Sequence, residues 1–339
     1  MSAAGLSWRW ALAGLGSLAA ALLAGLAFGP AGIPPGAILA DLWARLPLPG
    51  PGSPLPELDG AVLWELRAPR VALGALVGGT LAIAGGAYQA VFRNPLADPY
   101  LLGAAAGAGL GATIAIVYVG SVPLPLAAFV GATAAVVGAY LLGRSVGDGR
   151  STSTLILAGV AMAAFLTAVQ TLLLQQDTDN VRAVYAWLLG RLSTSGWGDV
   201  LLVLPYAAIS AAIVLAHRRL LDVLRVGDEE AAGLGVRVGR VRILVVGAAT
   251  LGTAAAVAVS GLIGFVGIIV PHALRLLAGS SYRAVLPLSM LFGAAFLVLA
   301  DVLARTALSP AELPIGVVTA CVGAPFFVVV LRTSRAGIP

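Results

Sequence analysis

No lysine occurs anywhere in the 339 residues, and all 20 basic side chains are arginines. A phosphate loop of the Walker A type ends in Gly-Lys-Ser/Thr, so this chain cannot hydrolyse a nucleotide through one. Charge of either sign is scarce. Only 10% of residues are charged, while 60% are apolar and the mean hydropathy is +1.00. A soluble domain needs roughly 25% charged residues to cover its surface, so the solvent for most of this chain is lipid. The single cysteine, Cys321, excludes an intrachain disulfide and, within an apolar run, reads as a small packing residue. Histidine is nearly as rare. His217 and His272 stand far apart with no second ligand at metal-binding spacing, which points to structural roles. The net charge of +5 does not indicate nucleic acid, because the arginines are scattered between apolar stretches and build no basic stripe.

What is present is small and apolar. Gly alone contributes 43 residues, with Ala abundant; in lipid such residues let helix backbones approach closely. A spanning helix needs about 20 mostly apolar residues, and ten stretches qualify. They run near Trp10–Phe28, Val71–Val91, Tyr100–Tyr118, Leu124–Leu142, Leu155–Leu174, Val200–Ala216, Ile243–Val259, Leu262–Leu277, Leu286–Ala304 and Ile315–Leu331. The first reads as a retained helix rather than a cleaved leader, since its apolar stretch is long and further spans follow. The expected fold is therefore an all-α membrane protein of about ten transmembrane helices, forming one domain over 1–339. A Pro/Gly-rich loop occupies 30–66, and a polar interval, Gln175–Gly198, holds a short helix from Asn180 to Leu189. Gly264, Pro271 and Pro314 predict broken or kinked helices. Interruptions at Asn94-Pro95 and Val270-Pro271 hint at a diverged internal repeat.

Ten spans put both termini on one side, and the arginine distribution fixes which. With a cytoplasmic N-terminus, most arginines fall inside, Arg93, Arg144, Arg150, Arg240 and Arg242 among them. Only Arg45, Arg67, Arg70, Arg182, Arg191 and Arg305 fall outside. Both termini are expected to be cytoplasmic.

The longest charged cytoplasmic interval, near 221–236, carries Asp228, Glu229 and Glu230 at the start of a possible short helix, where carboxylates suit the positive dipole end. Gly233 and Gly235 are natural stops. A short rigid helix projecting from a membrane domain can dock in a groove of a soluble partner; otherwise the interval is a solvated connector. An ion-coupled carrier would require ionisable groups within the membrane. Only Asp98 and Asp301 come close, and both fall near a membrane face. No nucleophile elbow or polar constellation supports a membrane-embedded enzyme.

The motifs resemble a known family, the ten-helix permeases of ABC importers for iron-siderophores, haem and vitamin B12 (FecCD-type transmembrane subunits). Arg67-Ala-Pro-Arg70 is similar to that family's Arg-x-Pro-Arg approach to its second helix. Gln89, Asn94, Pro95, Leu96 and Gly103 match its Gln…Asn-Pro-Leu-Ala…Leu-Gly signature. Gly227, Ala231, Leu234 and Gly235 fit its coupling segment. Pro271, His272 and Arg275 close the segment that starts at Gly261, and Glu312, Leu313, Pro314 and Gly316 complete the set. The likeness runs in order from Arg67 to Leu331. It implies a multi-pass subunit of the cell (inner) membrane that works as a homodimer. Two ATP-binding subunits would sit inside and a substrate-binding protein outside. The permease would move a bulky metal chelate inward by alternating access. No catalytic residue, metal or cofactor would belong to this chain, since the partner subunits bind ATP and Mg. Arg67, Arg70 and Arg305 would meet acidic residues of the binding protein. Gly227, Asp228, Glu229, Ala231, Leu234 and Gly235 would couple to the ATPase, and the fifth span would help line the pathway. A proton-coupled secondary transporter is the alternative.

Overall fold

The computed structural model describes residues 6–29, 32–45, 55–145, 152–177, 179–192 and 196–335, and among these every regular element is helical. Residues 46–54 of the expected outer loop and Arg150 lie outside the described residues. The long helices are α1 (Trp8–Ala27), α4 (Ala68–Phe92), α6 (Leu124–Ser145), α7 (Thr152–Gln176), α9 (Trp197–Val223), α11 (Val238–Ser260), α13 (Tyr282–Thr306) and α14 (Ile315–Arg335). Shorter ones are α2 (Pro35–Ala44), α3 (Glu57–Ala61), α5 (Ala104–Ile114), α8 (Val181–Leu188), α10 (Asp228–Gly233) and α12 (Val266–Ala278).

Seven helical stretches are long and apolar enough to cross a membrane, and three shorter apolar helices accompany them: Ala104–Val119, Val266–Ala278 and Ile315–Val328. Together they coincide in chain position with the ten expected spans. At 1.5 Å per residue, the 13 residues of α12 extend only about 20 Å, against a hydrocarbon core of roughly 30 Å.

Helix α4 is the hub. Nearly every side chain from Val77 to Phe92 is buried, and α13, α11, α9 and α12 pack around it. Small residues make this possible. A Cβ on Gly85 would strike the backbone carbonyl of Gly267 in α12, so those two backbones touch directly. By contrast α6, α7 and α9 leave large apolar side chains such as Leu141, Leu157, Phe165 and Leu201 exposed, as lipid-facing surfaces require.

The structure differs from the sequence reading in three places. First, the 30–66 region is partly helical. Pro34 and Pro35 start α2 rather than break it, because a proline at the first helical position lacks only an N–H that had no partner anyway. Second, Arg67-Ala-Pro-Arg70 is not the start of a helix. A helical stretch runs unbroken from Glu57 to Phe92, and the π-turn Val62–Arg67 precedes Pro69, whose missing amide hydrogen would otherwise leave a gap in the ladder. Third, Pro271 lies inside α12, while the break falls at residues 261–265 before it. The Asn94-Pro95 interruption does lie in a non-helical segment, 93–103, so the two prolines proposed to mark a repeat are not equivalent.

Candidate functional site

Two ends and one mid-depth junction of the bundle carry its polar chemistry. At the junction, the non-helical segments 93–103 and 261–265 meet. The Tyr100 hydroxyl donates to the Ile263 carbonyl at 3.0 Å and accepts from the Ile263 amide at 3.2 Å. Irregular backbone inside a membrane protein survives only where such groups are satisfied within the protein, and one phenol serves both needs here. Gly103 opens α5 with φ +84, a left-handed conformation that suits glycine. Nothing in the sequence pattern marked Tyr100 for this task.

At the end bearing α10, the matched residues Gln89, Pro95 and Arg275 are connected. Gln89 donates to the Gly267 carbonyl at 3.1 Å, while Arg275 donates to the Gln89 side-chain oxygen and reaches the Pro95 carbonyl at 3.4 Å. Asn94 caps the turn locally, accepting from the amide of Leu96 at 2.9 Å. Asp222 accepts from the Ser281 hydroxyl at 2.6 Å and from the Tyr282 amide at 2.7 Å, which ties α9 to the start of α13. The short helix α10 has the predicted start and stop, with Gly227 at φ +129 before it and Gly235 at φ +83 after it. Asp228 bridges two helices, pairing with Arg242 of α11 at 3.0 Å and with Arg93 at the end of α4 at 3.6 Å. Both arginines were missed in the sequence, where no spacing links them to Asp228. Ala231 is fully buried, whereas Leu234 is 70% exposed. Glu229 is exposed. His272, packed edge-on against Phe326 in α14, has no hydrogen-bond partner on either ring nitrogen among the described residues. His217 donates its Nδ1–H to the Ile213 carbonyl at 2.8 Å.

At the opposite end the three arginines expected to face a partner do gather, but they turn inward. Arg67 is 5% exposed and donates to the carbonyls of Leu26 and Ala27 at 2.7 and 3.1 Å. Arg305, 4% exposed, donates to the Gly25 carbonyl at 2.6 Å. These carbonyls belong to the last turn of α1, whose final acceptors have no partner within the helix and favour a cation. Arg70 is clasped by two carboxylates: Asp301 at 2.8 Å and Glu312 at 2.9 Å. Within this chain the charge of all three is engaged by the last-turn carbonyls of α1 and by two acids. Leu313 donates its amide to the Ala304 carbonyl at 2.8 Å, and Gly316 donates to Leu189 at 3.0 Å. A recess of ≈ 520 Å³ remains open between α8 and Pro314, with Arg182 and Arg191 on its rim. Cys321 is exposed on α14 rather than packed. No cluster of metal-ligating side chains occurs among the described residues.

The family model of the FecCD transport family matches residues 17–333. The chain belongs to the FecCD transport family. It is thus a multi-pass membrane permease subunit of the ABC transporter type. Among its relatives is an uncharacterized ABC transporter permease protein, YvrB of Bacillus subtilis, 40% identical over 96% of this chain and 94% of that one. The cobalamin import system permease BtuC of Halobacterium salinarum is 44% identical over 82% of this chain and 75% of its own length. The hemin permease HmuU of Yersinia pestis is 39% identical over 80% and 84%. A solved structure of a metal-chelate type ABC transporter, in an inward-facing conformation, superposes with a TM-score of 0.81 at 30% identity, covering 95% of this chain and 98% of that one.

Proposed function

We propose that this FecCD subunit carries a bulky metal chelate inward as half of a homodimer, driven by ATP hydrolysis on two separate subunits docked at the α10 end. That end is read as cytoplasmic, both termini with it, and the ten apolar helices as ten crossings. The observation that carries the reading is the seat of α10. Its Asp228 holds both the end of α4, the hub helix, and the start of α11. A displacement of α10 by a closing ATPase would therefore reach the two helices that flank the interrupted segments. The relatives' cobalamin and hemin permeases support a chelate cargo.

The binding protein would dock at the opposite end. With Arg67 and Arg305 turned inward, the exposed Arg182 and Arg191 around the recess supply the outward positive charge. Arg67, Arg70 and Arg305 would hold that face in shape. The proton-coupled alternative gains no support: Asp301 is buried between Arg70 and Arg305, and Asp98 accepts the Tyr100 amide at 2.7 Å.

The test is biochemical. Purified alone in vesicles, the chain should hydrolyse no ATP; with the ATPase encoded beside it, the two should copurify and turnover should appear. ATP turnover by vesicles holding only this polypeptide would sink the reading.

A further inference from the structure

A groove of ≈ 280 Å³ opens on the flank of the bundle between α6 and α11, near the end that bears α10. Its floor includes Gly247, where an added Cβ would meet nothing within 4 Å, and its walls include Val137 and Ile243, both about half exposed. The two threonines that line it are already satisfied. Thr250 shares a hydrogen bond with the buried Tyr88 hydroxyl at 2.8 Å, and Thr133 donates to the Phe129 carbonyl at 2.9 Å. Apart from Tyr140 and Arg242 the lining is apolar or already hydrogen-bonded, which suits a hydrocarbon chain.

The mouth is the opposite. Arg240 lies in the first turn of α11 on the face of Ile243 and Gly247, three and seven residues on. Arg144 lies in the last turn of α6, its guanidinium 5.9 Å over the ring of Tyr140, which lines the groove. Both arginines are exposed, and neither has a carboxylate partner among the described residues. The first turn of α11 itself contains no acidic residue, and its positive dipole end favours an anion.

An apolar slot on a lipid-facing flank that ends in two cations has the shape and charge of one molecule. We propose that this groove binds an anionic phospholipid of the adjoining leaflet, an acyl chain lying along Gly247 and the phosphate held by Arg144 and Arg240. Basic pockets between transmembrane helices recognise such headgroups. Arg242 also lines the groove while paired with Asp228, so the lipid would abut the ion pair that seats α10. Assigning it to the inner leaflet rests on the orientation proposed above; its retention does not.

The full-length chain would be reconstituted in nanodiscs of equal phosphatidylglycerol and phosphatidylcholine, then extracted gently and weighed with its bound lipid by native mass spectrometry. The expected result is one phosphatidylglycerol retained in preference to phosphatidylcholine. A basic residue near the surface contributes roughly fivefold to such a preference, so Arg144→Gln with Arg240→Gln should lower the ratio about twenty- to thirtyfold. Gly247→Trp should expel both lipids. Val137→Trp, at an exposed wall position, carries the same test should Gly247→Trp fail to fold. Equal retention of the two lipids by the natural chain overturns the proposal, as does undiminished retention in a folded groove-filling variant. None of these outcomes touches ATPase association, so the transport reading stands or falls separately.

Discussion

At Arg70 one guanidinium answers two carboxylates from different parts of the chain, Asp301 in α13 and Glu312 in the loop beyond it. Removing the cation would leave Asp301, itself only 2% exposed, with the longer Arg305 contact at 3.5 Å as its one remaining ion pair among the described residues. Breaking a buried pair from one side typically costs about 3–5 kcal/mol. Arg70→Gln should therefore lower the thermal unfolding midpoint in detergent markedly, and Asp301→Asn added to it should restore part of the loss. Glu312 responds differently because it is partly exposed. Its hydrogen bond to Arg70 holds its carboxyl below the ordinary value of 4.5. The folded-state value lies under the unfolded one, so the tether is complete above the ordinary value and is lost as pH falls through the lowered one. The protection factor of the 307–314 loop, hydrogen exchange corrected for its intrinsic pH dependence, should stay flat from neutral pH to about 5, then fall in stronger acid; in Glu312→Gln that acid-dependent step should vanish. That Arg67, Arg70 and Arg305 share one end was legible from counting spans. Their inward turn was not, because the carbonyls of Gly25, Leu26 and Ala27 that take two of them leave no mark in the residue types.

Among the elements, α10 was the most readable, since acids at its start and glycines at its stop are chemical signals for helix ends. The short α8 was anticipated to within a residue for the same reason, a polar interval that turns briefly periodic. Helices α2 and α3 were hidden by prolines, which mark loops and first turns alike. The two sides of α10 call for different tests. Leu234, exposed and apolar, is the contact expected to enter a groove of the ATPase. Leu234→Glu should leave the subunit folded and monodisperse while uncoupling ATP hydrolysis from uptake in proteoliposomes; normal uptake would mean that α10 is only a connector. Ala231→Glu is the wrong probe, because a fully buried methyl site cannot take a carboxylate without unseating the helix.

For the whole molecule, the decisive feature is close approach. The α4–α12 contact depends on Gly85 facing the Gly267 carbonyl, so Gly85→Ala should overpack it and cost roughly 1–3 kcal/mol, read as a lower unfolding midpoint with α10 contacts to Arg93 and Arg242 loosened in hydrogen exchange. The order of the long apolar helices could be read from hydropathy, because lipid imposes a length on each crossing. The hub position of α4 could not, since every span looks equally apolar along the sequence.

The clasp on α1 also orders events in time. Arg67 reaches the chain end of α1 as soon as the next long helix is made, but Arg305, which takes the Gly25 carbonyl, leaves the ribosome some 280 residues after it. Until α13 arrives, α1 keeps an unanswered acceptor in its last turn, and Asp301 and Arg305 come in together, four residues apart and paired at 3.5 Å. The permease thus ties the last turn of α1 to a helix made some 280 residues later.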